Sequence, residues 1–356
     1  IIPQHAICID ENAFEQCKYL EEAIFEDNSK LRIIGKSAFK STPIEKIIIP
    51  SNVRNINCYT FYYCNQLKMI HFEESSKLEI IHENAFHSSE IESISIPSKV
   101  KELKEDWCSN IKYLTNINLS INNKNLRYIN NLLIGKSNIQ NNDFDVLLFA
   151  SRNLKEVKIP SYIKKVSAYA FQNCEMLEEV DISKDSQLKL FGNNAFQQTK
   201  IGSIFIPSSV TAINKSAFID CHLLEKVEFS DSSQLNIIDD WAFARSKIKT
   251  ISIPSKVVQI SKCSFSNCEE LQRVDFNDAE NELKIIDDRA FLKSSLISFW
   301  VPSKVIKIGE NAFSNCKKLR IIEIANCNGM TSINTNIFSN NSNLVIMIPA
   351  NIYIFN

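Results

Sequence analysis

The segment Ile206–Cys221 has the sequence IPSSVTAINKSAFIDC, and its pattern recurs along the chain and decides the fold. Proline is the clearest marker, because eight of the nine prolines are almost evenly spaced. These are Pro3, Pro50, Pro97, Pro160, Pro207, Pro254, Pro302 and Pro349, with successive gaps of 47, 47, 63, 47, 47, 48 and 47 residues. A fixed period of this kind predicts a repeat protein in which each unit packs on its neighbours.

Each 47-residue unit contains two coils, and one anchor residue marks each coil. Eleven residues after the first seven of these prolines lie Phe14, Phe61, Cys108, Phe171, Phe218, Phe265 and Phe313. A second set of anchors lies between them: Phe39, Phe86, Phe196, Phe243, Phe291 and Phe338. The steps alternate between about 25 and 22 residues, a length that suits one turn of a solenoid. We expect the anchor rings to fill the interior of the coils.

Every coil also carries a short apolar pattern that predicts a strand. In one coil it runs Leu67-x-x-Ile70-x-Phe72, and the alternation at its end has the period of two that is typical of a β-strand. Stacked coils would place these strands side by side in one parallel sheet. Pro50 and its equivalents follow the strand, where a missing N–H costs nothing.

A polar position four residues before each anchor predicts a helix start. It holds Asp10, Gly35, Asn57, His82, Lys104, Ser167, Gly192, Asn214, Asp239, Ser261, Asp287, Gly309 and Asn334. Eleven of these thirteen residues are Asp, Asn, Ser or Gly, the types preferred at a helix N-cap. We therefore expect each anchor to lie in the first turns of a short α or 3₁₀ helix.

The pattern resembles the BspA-type leucine-rich repeat, whose signature is IPxxVxxIxxxAFxxC, and nearly the whole chain matches it. The resemblance implies an α/β repeat fold: a leucine-rich-repeat solenoid with one long parallel β-sheet, short α or 3₁₀ helical turns on the other side, and about 13 to 14 coils. We expect residues 1–356 to form this single solenoid, with an irregular coil and a hairpin insertion at about 109–160.

The irregular stretch lies between Pro97 and Pro160, where the spacing is 16 residues longer than elsewhere. Two apolar runs, 132–134 and 146–149, flank a polar run, which predicts a β-hairpin between Asn131 and Phe149. Family members that resemble this chain often carry such a hairpin in place of one helical coil. The hairpin is either a protruding contact loop or a tolerated insertion that only bends the solenoid.

Composition excludes several classes of protein. With a net charge of −1 the chain lacks the basic character of a nucleic-acid-binding protein. There is no run of 18 apolar residues, so this sequence does not predict a membrane span. The six glycines form no phosphate-binding motif, and no residue spacing indicates a catalytic set or a cofactor site. We therefore predict no catalytic residues, no cofactor and no metal, and expect a protein that is not an enzyme.

Cysteines, histidines and carboxylates all have structural explanations in the repeat. Six cysteines lie three residues after an anchor, where other coils have Ser or Thr; they are Cys17, Cys64, Cys174, Cys221, Cys268 and Cys316. That position therefore favours a small, mostly buried residue, and alternate coils are about 10 Å apart, too far for a disulfide. His82 and His87 flank Phe86 at a spacing that does not favour a metal site. Asp239 and Asp287 occupy the predicted cap position, and capping explains them better than acid–base chemistry does.

The outward strand positions offer a surface for a partner. In most coils this position holds Ser, Asn, Asp, Glu or Lys, whereas two coils have Phe205 and Trp300. They are four coils apart, about 19 Å along one face, with Arg273 between them. Interfaces concentrate binding energy in large aromatic residues and Arg. We therefore take Phe205, Arg273 and Trp300 as candidate partner-binding residues, against the alternative that scattered exposed apolar residues are ordinary.

A long open face suits a protein partner better than a small molecule, and the family resemblance implies a cell-surface or extracellular adhesin that contacts host or matrix proteins. A cytoplasmic interaction scaffold of the same fold is the alternative, since chains without disulfides are more usual in the cytosol.

Three N-glycosylation sequons begin at Asn118, Asn214 and Asn340. Because both ends of the sequence fall within the repeat, we also expect exposed apolar coil surface and possible end-to-end self-association.

Overall fold

The computed structural model describes residues 1–73, 75–276, 281–325, 329–330, 332–350 and 352–355. These residues form about 14 coils of a β-solenoid, which confirms the leucine-rich-repeat fold class. The chain divides into two compact units. The first unit comprises Ile1–Leu154 and Ser167–Cys174, and the second comprises Lys155–Val166 and Glu175–Asn356. Among the described residues, no helix has the length and hydropathy that a membrane span requires.

The first unit has two kinds of parallel strand and one antiparallel element. Its face strands form one five-stranded parallel sheet: Glu22–Ala23, Lys46–Ile49, Met69–Phe72, Ser93–Ile96 and Asn116–Leu119. Its back strands have two residues each and pair in parallel: Cys8–Ile9 with Ile33–Ile34, and Asn55–Ile56 with Ile80–Ile81 and Glu102–Leu103. The antiparallel element is Arg127–Ile129, Leu132–Gly135 and Val146–Ala150.

The second unit repeats the coil, but its face strands form separate groups and its back strands form one ladder. Its face strands pair in groups: Glu156–Ile159 with Glu179–Ile182, Ser203–Ile206 with Lys226–Phe229, Thr250–Ile253 with Arg273–Phe276, and Ser298–Val301 with Ile321–Ile324 and Val345–Met347. Its back strands form a continuous parallel ladder: Lys165–Val166, Leu190–Phe191, Ala212–Ile213, Ile237–Ile238, Gln259–Ile260, Ile285–Ile286 and Lys307–Ile308. Ser332–Asn334 pairs with Tyr353–Phe355.

The single long sheet that the sequence predicts is thus divided within the second unit. At two of the boundaries between groups a hydrogen bond remains near the strand start, from Gly202 N to Glu178 O at 3.3 Å and from Ile297 N to Gln272 O at 3.2 Å. The full ladder does not continue past these bonds. The strands therefore keep their order without one continuous ladder.

The anchor rings fill the coil interiors, as predicted. Phe39 and Phe61 in the first unit are fully buried, and their ring centroids are 5.6 Å apart at an interplanar angle of 3°. In the second unit Phe218 and Phe243 stack at 5.3 Å and 5°. Burial of a large ring removes much apolar surface from water, and each stack also joins consecutive coils.

The helical turns that the sequence predicts are replaced by consecutive turns. Among the described residues one helix is present, the 3₁₀ helix Thr335–Phe338, and Asn334 caps it by accepting from Asn336 N at 2.8 Å. Elsewhere, residues two before and two after the anchor adopt a left-handed conformation, as at Ser216 (φ 57°) and Asp220 (φ 60°) around Phe218. A left-handed residue interrupts an α-helix after one turn.

Backbone donors of these turns bond to the next coil rather than within a helix. Ser216 N donates to Asp240 O at 2.8 Å, and Asp220 N donates to Ala244 O at 3.1 Å. The same pattern recurs through both units, so each turn is held by its successor. Residues before an anchor that were expected to be helix caps therefore begin a turn, as when Asp239 O accepts from Ala242 N at 3.1 Å.

The interior of the irregular coil contains a tryptophan and a buried arginine instead of an anchor phenylalanine. Trp107 is buried beside Cys108, where other coils have the anchor ring, and its ring centroid is 5.7 Å from that of Phe149. Arg152 is 4% exposed, and its guanidinium carbon lies 4.3 Å from the centroid of the Phe149 ring. The guanidinium donates to the carbonyl oxygens of Ile111, Ala150, Tyr169 and Ala170. Four backbone oxygens thus bind a buried cation in the interior of this unit.

Candidate partner-binding surface

The face strands present alternate residues to solvent. In Lys46–Ile49 the first and third residues are exposed and the second and fourth are buried, and most face strands follow the same pattern. This alternation places every candidate residue that the sequence singled out on an outward position. Within each group of paired strands the outward residues form columns, because these strands pair in register.

Phe205 and Trp300 lie at the third position of their face strands, and each is half-buried. Phe205 pairs in register with Glu228, and Trp300 pairs with Glu323. The centroid of the Trp300 ring is 6.4 Å from that of Phe276, and the two rings are tilted by 52°. A glutamate therefore stands beside each aromatic ring, so both rings combine apolar area with a polar neighbour.

Arg273 lies at the first position of its strand, and its side chain is 66% exposed. Its Nε donates to Asp275 Oδ2 at 3.0 Å. An exposed pair of this kind contributes little to stability. Its guanidinium thus remains accessible to a partner.

Sequence reasoning missed an apolar patch beside Trp300. We call Ile297, Trp300, Ile321, Val345 and Met347 the C-terminal apolar patch. Ile321 pairs in register with Val345, and both are exposed, by 43% and 57%. Met347 continues the column that contains Trp300 and Glu323. Trp300 therefore has more exposed apolar residues near it than the sequence analysis, which grouped it with Phe205 and Arg273, had indicated.

A second surface feature lies on the face of the first unit. Ile24, Ile48, Met69 and His71 line a concavity of about 520 Å³, which we call the N-terminal groove. Ile48 and Met69 are more than half exposed. The carboxylates of its rim make local bonds: those of Glu22, Glu26 and Glu73 contact Lys46 Nζ, Gln4 N and Ser51 N at 2.8 to 2.9 Å.

The histidines that flank Phe86 have different surroundings. The His87 ring stacks on Tyr62 at 4.5 Å, and its Nδ1 lies 2.7 Å from Ser109 Oγ. Because Ser109 Oγ donates to Asn84 Oδ1 at 2.8 Å, His87 Nδ1 is the donor of the first bond. Burial lowers the pKa of His87, which favours the neutral form of the ring.

His82 instead lies in a cluster with Cys58 and Glu83, which sequence reasoning did not group. One ligand atom from each residue lies within 4.8 Å of the other two. Cys58 Sγ donates to Glu83 Oε2 at 3.2 Å, and His82 Nδ1 is 3.7 Å from the same oxygen. Burial, and then the hydrogen bond to Glu83, raise the pKa of the Cys58 thiol. A carboxylate beside the thiol opposes its ionisation, so the arrangement does not suit a nucleophilic cysteine.

The paired carboxylates connect neighbouring coils. Asp239 Oδ1 accepts from Asp240 N at 2.8 Å, and Asp240 Oδ1 accepts from Lys262 N at 3.1 Å. Asp288 makes the corresponding bond to Glu310 N at 2.9 Å. Burial, and then repulsion by Asp239, raise the pKa of Asp240. The carboxylates of Asp239, Asp240 and Asp288 thus accept from backbone N–H groups, which is a structural role.

All ten described cysteines are free thiols, whereas Cys327 lies outside the described residues. Five of the six cysteines that follow an anchor are buried, and Cys17 is exposed. Cys64 Sγ donates to the carbonyl oxygen of Phe39 in the preceding coil at 3.1 Å.

The three sequon asparagines lie in different surroundings. Asn118 is exposed at the third position of a face strand, and Asn340 is exposed in a turn with φ of 62°. Asn214 is half-buried, and its carbonyl oxygen accepts from Ala217 N at 3.1 Å. The two exposed side chains are the accessible ones, and their use as glycosylation sites stays a prediction.

Comparison with known families agrees with the coil geometry. The sequence profile of the BspA type Leucine rich repeat region (6 copies) matches residues 1–115, 32–146, 142–272 and 236–356. The chain belongs to the BspA-type leucine-rich repeat family. Members of this family are leucine-rich repeat proteins, which are generally non-catalytic and associated with protein binding.

Solved structures show the same fold as this BspA-type chain. The pneumococcal vaccine antigen PcpA is 20% identical, with a TM-score of 0.65 over 100% of this chain and 78% of that chain. A leucine-rich repeat protein from Eubacterium ventriosum is 21% identical, with a TM-score of 0.64 over 82% of this chain and 81% of that chain. A leucine rich cell surface protein from Faecalibacterium prausnitzii is 21% identical, with a TM-score of 0.50 over 99% of this chain and 78% of that chain. No curated protein sequence matches this BspA-type chain significantly.

Proposed function

We propose that this BspA-type chain is a non-enzymatic protein-binding module of a cell surface, which acts as an adhesin for host or matrix proteins. The C-terminal apolar patch carries the proposal. Ile297, Ile321, Val345 and Met347 are exposed on, or directly before, the three paired strands that include Trp300, and large apolar groups with a polar margin are typical of protein interfaces. The likeness to a bacterial cell surface protein and to a vaccine antigen supports the surface location.

Phe205, Arg273 and Trp300 are the residues that we propose contact the partner. Trp300 would supply the buried anchor of the interface, and Arg273 would add a charged contact from an accessible guanidinium. Phe205 would extend the contact along the same face. The open columns favour an extended protein surface over a small molecule, which needs an enclosed pocket.

Binding to immobilised matrix proteins tests this proposal. Trp300→Ala, Arg273→Ala and Phe205→Ala should each weaken binding by about 1–2 kcal/mol or more, with the fold retained by circular dichroism. Tyr162→Ala is the matched control, because Tyr162 is 45% exposed but lies in a turn after a face strand. A partner bound equally by all four variants would show that this face is not the site, and attention would move to the hairpin between Asn131 and Phe149.

Two observations would separate the adhesin from an intracellular scaffold. A chain that binds no matrix or cell-surface protein but captures a defined cytosolic protein through the same patch would support the scaffold. An upstream signal peptide, or a downstream hydrophobic helix followed by a short basic tail, would support the surface location. End-to-end self-association also stays a prediction, which light scattering across a concentration series tests.

A further inference from the structure

The cluster of Cys58, His82 and Glu83 brings three different donor types to one point. Cys58 lies three residues before the anchor of its coil, and Glu83 lies at the same place in the next coil, with His82 adjacent in sequence. Parallel stacking of the two coils therefore superimposes the thiol and the carboxylate. Among the residues that the structure describes, this is the one group of three Cys, His, Asp or Glu side chains whose ligand atoms all lie within 4.8 Å of one another.

The backbone that carries these donors is fixed by bonds on both sides. Tyr59 N donates to Glu83 O at 3.3 Å, directly between the two coils at the cluster. His82 N donates to Ile56 O at 2.9 Å, which joins the same two coils one residue away. Cys58 O accepts from Ser37 N at 3.1 Å. Three donors on such a backbone need little reorganisation to bind an ion.

Two of the three separations between the ligand atoms match a tetrahedral Zn²⁺ site, and the third, between the Cys58 thiol and the His82 ring, is within 4.8 Å. Zinc binds thiolate at about 2.3 Å and imidazole nitrogen or carboxylate oxygen at about 2.0–2.2 Å, so its tetrahedral ligands lie roughly 3.2–3.7 Å apart. The distances from Glu83 Oε2 are 3.2 Å to Cys58 Sγ and 3.7 Å to His82 Nδ1. Mixed sulfur, nitrogen and oxygen ligands favour zinc over Mg²⁺ or Ca²⁺, which prefer oxygen alone.

The surroundings of the cluster allow an ion to enter. The side chains of His82 and Glu83 are 25% and 44% exposed, and Cys58 is partly exposed. Lys104 in the next coil ion-pairs with Glu102 at 2.6 Å, which offsets its positive charge. With three protein ligands, a fourth position would remain for water.

Another thiol of the chain provides an internal comparison. Cys8 Sγ also donates to a carboxylate, Asp10 Oδ1, at 3.2 Å. The described residues place no histidine within ligand distance of that pair. Cys8 and Asp10 therefore offer two donors on one coil, whereas the other cluster offers three donors from two coils.

We propose that Cys58, His82 and Glu83 form a Zn²⁺ site that links two consecutive coils of the first unit. A metal bound there would cross-connect the coils in the folded state only, because the unfolded chain separates the donors by 24 and 25 residues. Zinc should therefore stabilise the folded protein, by an amount that grows with the logarithm of the ratio of the zinc concentration to the Kd.

Cobalt substitution in the intact chain tests the site. Stoichiometric Co²⁺ should produce a thiolate-to-cobalt charge-transfer band in the near ultraviolet and intense visible bands of a tetrahedral site, and Zn²⁺ should abolish both. Cys58→Ser and Glu83→Gln should weaken cobalt binding by at least about tenfold, the lower end of the effect of a group that only supports a ligand. Cys8→Ser, the matched control, should leave the spectrum unchanged. A missing charge-transfer band, or a band lost in Cys8→Ser but kept in Cys58→Ser, would overturn the proposal.

A second measurement uses the unaltered protein, so it holds even if a variant fails to fold. Iodoacetamide labelling followed by peptide mass spectrometry gives the alkylation rate of each thiol. Saturating Zn²⁺ should slow alkylation of Cys58 at least about tenfold, because the metal-bound thiolate is shielded, and should leave Cys8 and the exposed Cys17 unchanged. An equal rate at Cys58 with and without zinc would contradict the site.

Discussion

Thr199 and Cys221 donate to one carbonyl oxygen, that of Phe196. Thr199 Oγ1 lies 3.0 Å and Cys221 Sγ 3.1 Å from it, and the two side-chain atoms are 3.3 Å apart. Thr199 belongs to the coil of Phe196, whereas Cys221 belongs to the next. The pair therefore satisfies a buried acceptor across the junction of two coils, where an unpaired polar group would be costly.

The stability of the protein should fall at alkaline pH because of Cys221. Burial raises the pKa of this thiol from 9.0 to about 12. The unfolded thiol ionises above pH 9 while the folded one stays protonated, so the stabilisation present below pH 9 is lost as pH rises toward 12. Between about pH 8 and 10.5 the free energy of unfolding of the unaltered protein should fall by about 2 kcal/mol more than that of Cys221→Ala. Urea unfolding of both proteins at about pH 8 and 10.5 measures it, and a difference between them that does not change with pH would contradict it.

Truncation of one anchor ring should strongly destabilise the second unit. Phe243 is fully buried, and its ring stacks on those of Phe218 and Phe265 at 5.3 Å and 5.4 Å. Phe243→Ala should lower the free energy of unfolding by about 3–5 kcal/mol, because it removes apolar contacts and leaves a cavity. The half-buried Phe205 is the control, and Phe205→Ala should cost about 1 kcal/mol. Equal losses in urea unfolding would argue against the stack.

Close approach of two coils should make Gly309 intolerant of a side chain. A methyl group at Gly309 would lie 2.6 Å from the carbonyl carbon of Asp287, whereas one at Gly202 would meet no atom within 4 Å. Gly309→Ala should therefore cost about 1–3 kcal/mol, since the contact is with backbone that cannot move aside easily. Gly202→Ala should change stability by less than about 0.5 kcal/mol. Thermal unfolding of both variants gives the comparison, and a neutral Gly309→Ala would refute the close contact.

Loss of the buried guanidinium should destabilise the irregular coil. Arg152→Met keeps most of the apolar stem but removes the donor of the Ile111 carbonyl oxygen, now 3.1 Å from Nε. We expect a loss of about 1–3 kcal/mol in urea unfolding, because a buried acceptor loses its donor and three other carbonyl oxygens lose a charged one. The exposed Arg273 is the matched control, and Arg273→Met should cost less than about 0.5 kcal/mol. A loss of similar size at both positions would mean that burial of Arg152 is not the cause.

The interior of the coils could be predicted from the sequence, but the conformation around it could not. Period alone identifies Phe218 and Phe243 as interior residues, because a repeat must bury the same position in every coil. Asp and Asn before an anchor favour both helix starts and turns, so residue type left the choice open. The deciding bonds, such as Ser216 N to Asp240 O, join residues 24 positions apart and depend on the stacked neighbour.

The sequence predicted which residues of the candidate site face outward, but not which of them are neighbours across strands. The alternation of the strands placed Trp300 on the outward face, as the structure has it. The neighbours of Trp300 depend on the register between strands, which brings Ile321 beside Val345. Cys58 and Glu83 come together for the same reason. The sequence shows which residues share a position in the coil, while their separations depend on how the coils stack.

The acceptor that Cys221 and Thr199 share, the carbonyl oxygen of Phe196, restricts the number of coils by which such a chain can lengthen. A cysteine coil follows a hydroxyl coil at this junction and at Ser246 and Cys268, 3.3 Å apart. Where the irregular coil supplies no cysteine, the buried Ser89 hydroxyl has no partner among the described residues. Duplication or deletion of a single coil would place two like residues at a junction, whereas a step of two coils would restore every bond. We therefore expect relatives of different length to differ by multiples of about 47 residues, the genetic unit of growth for this architecture.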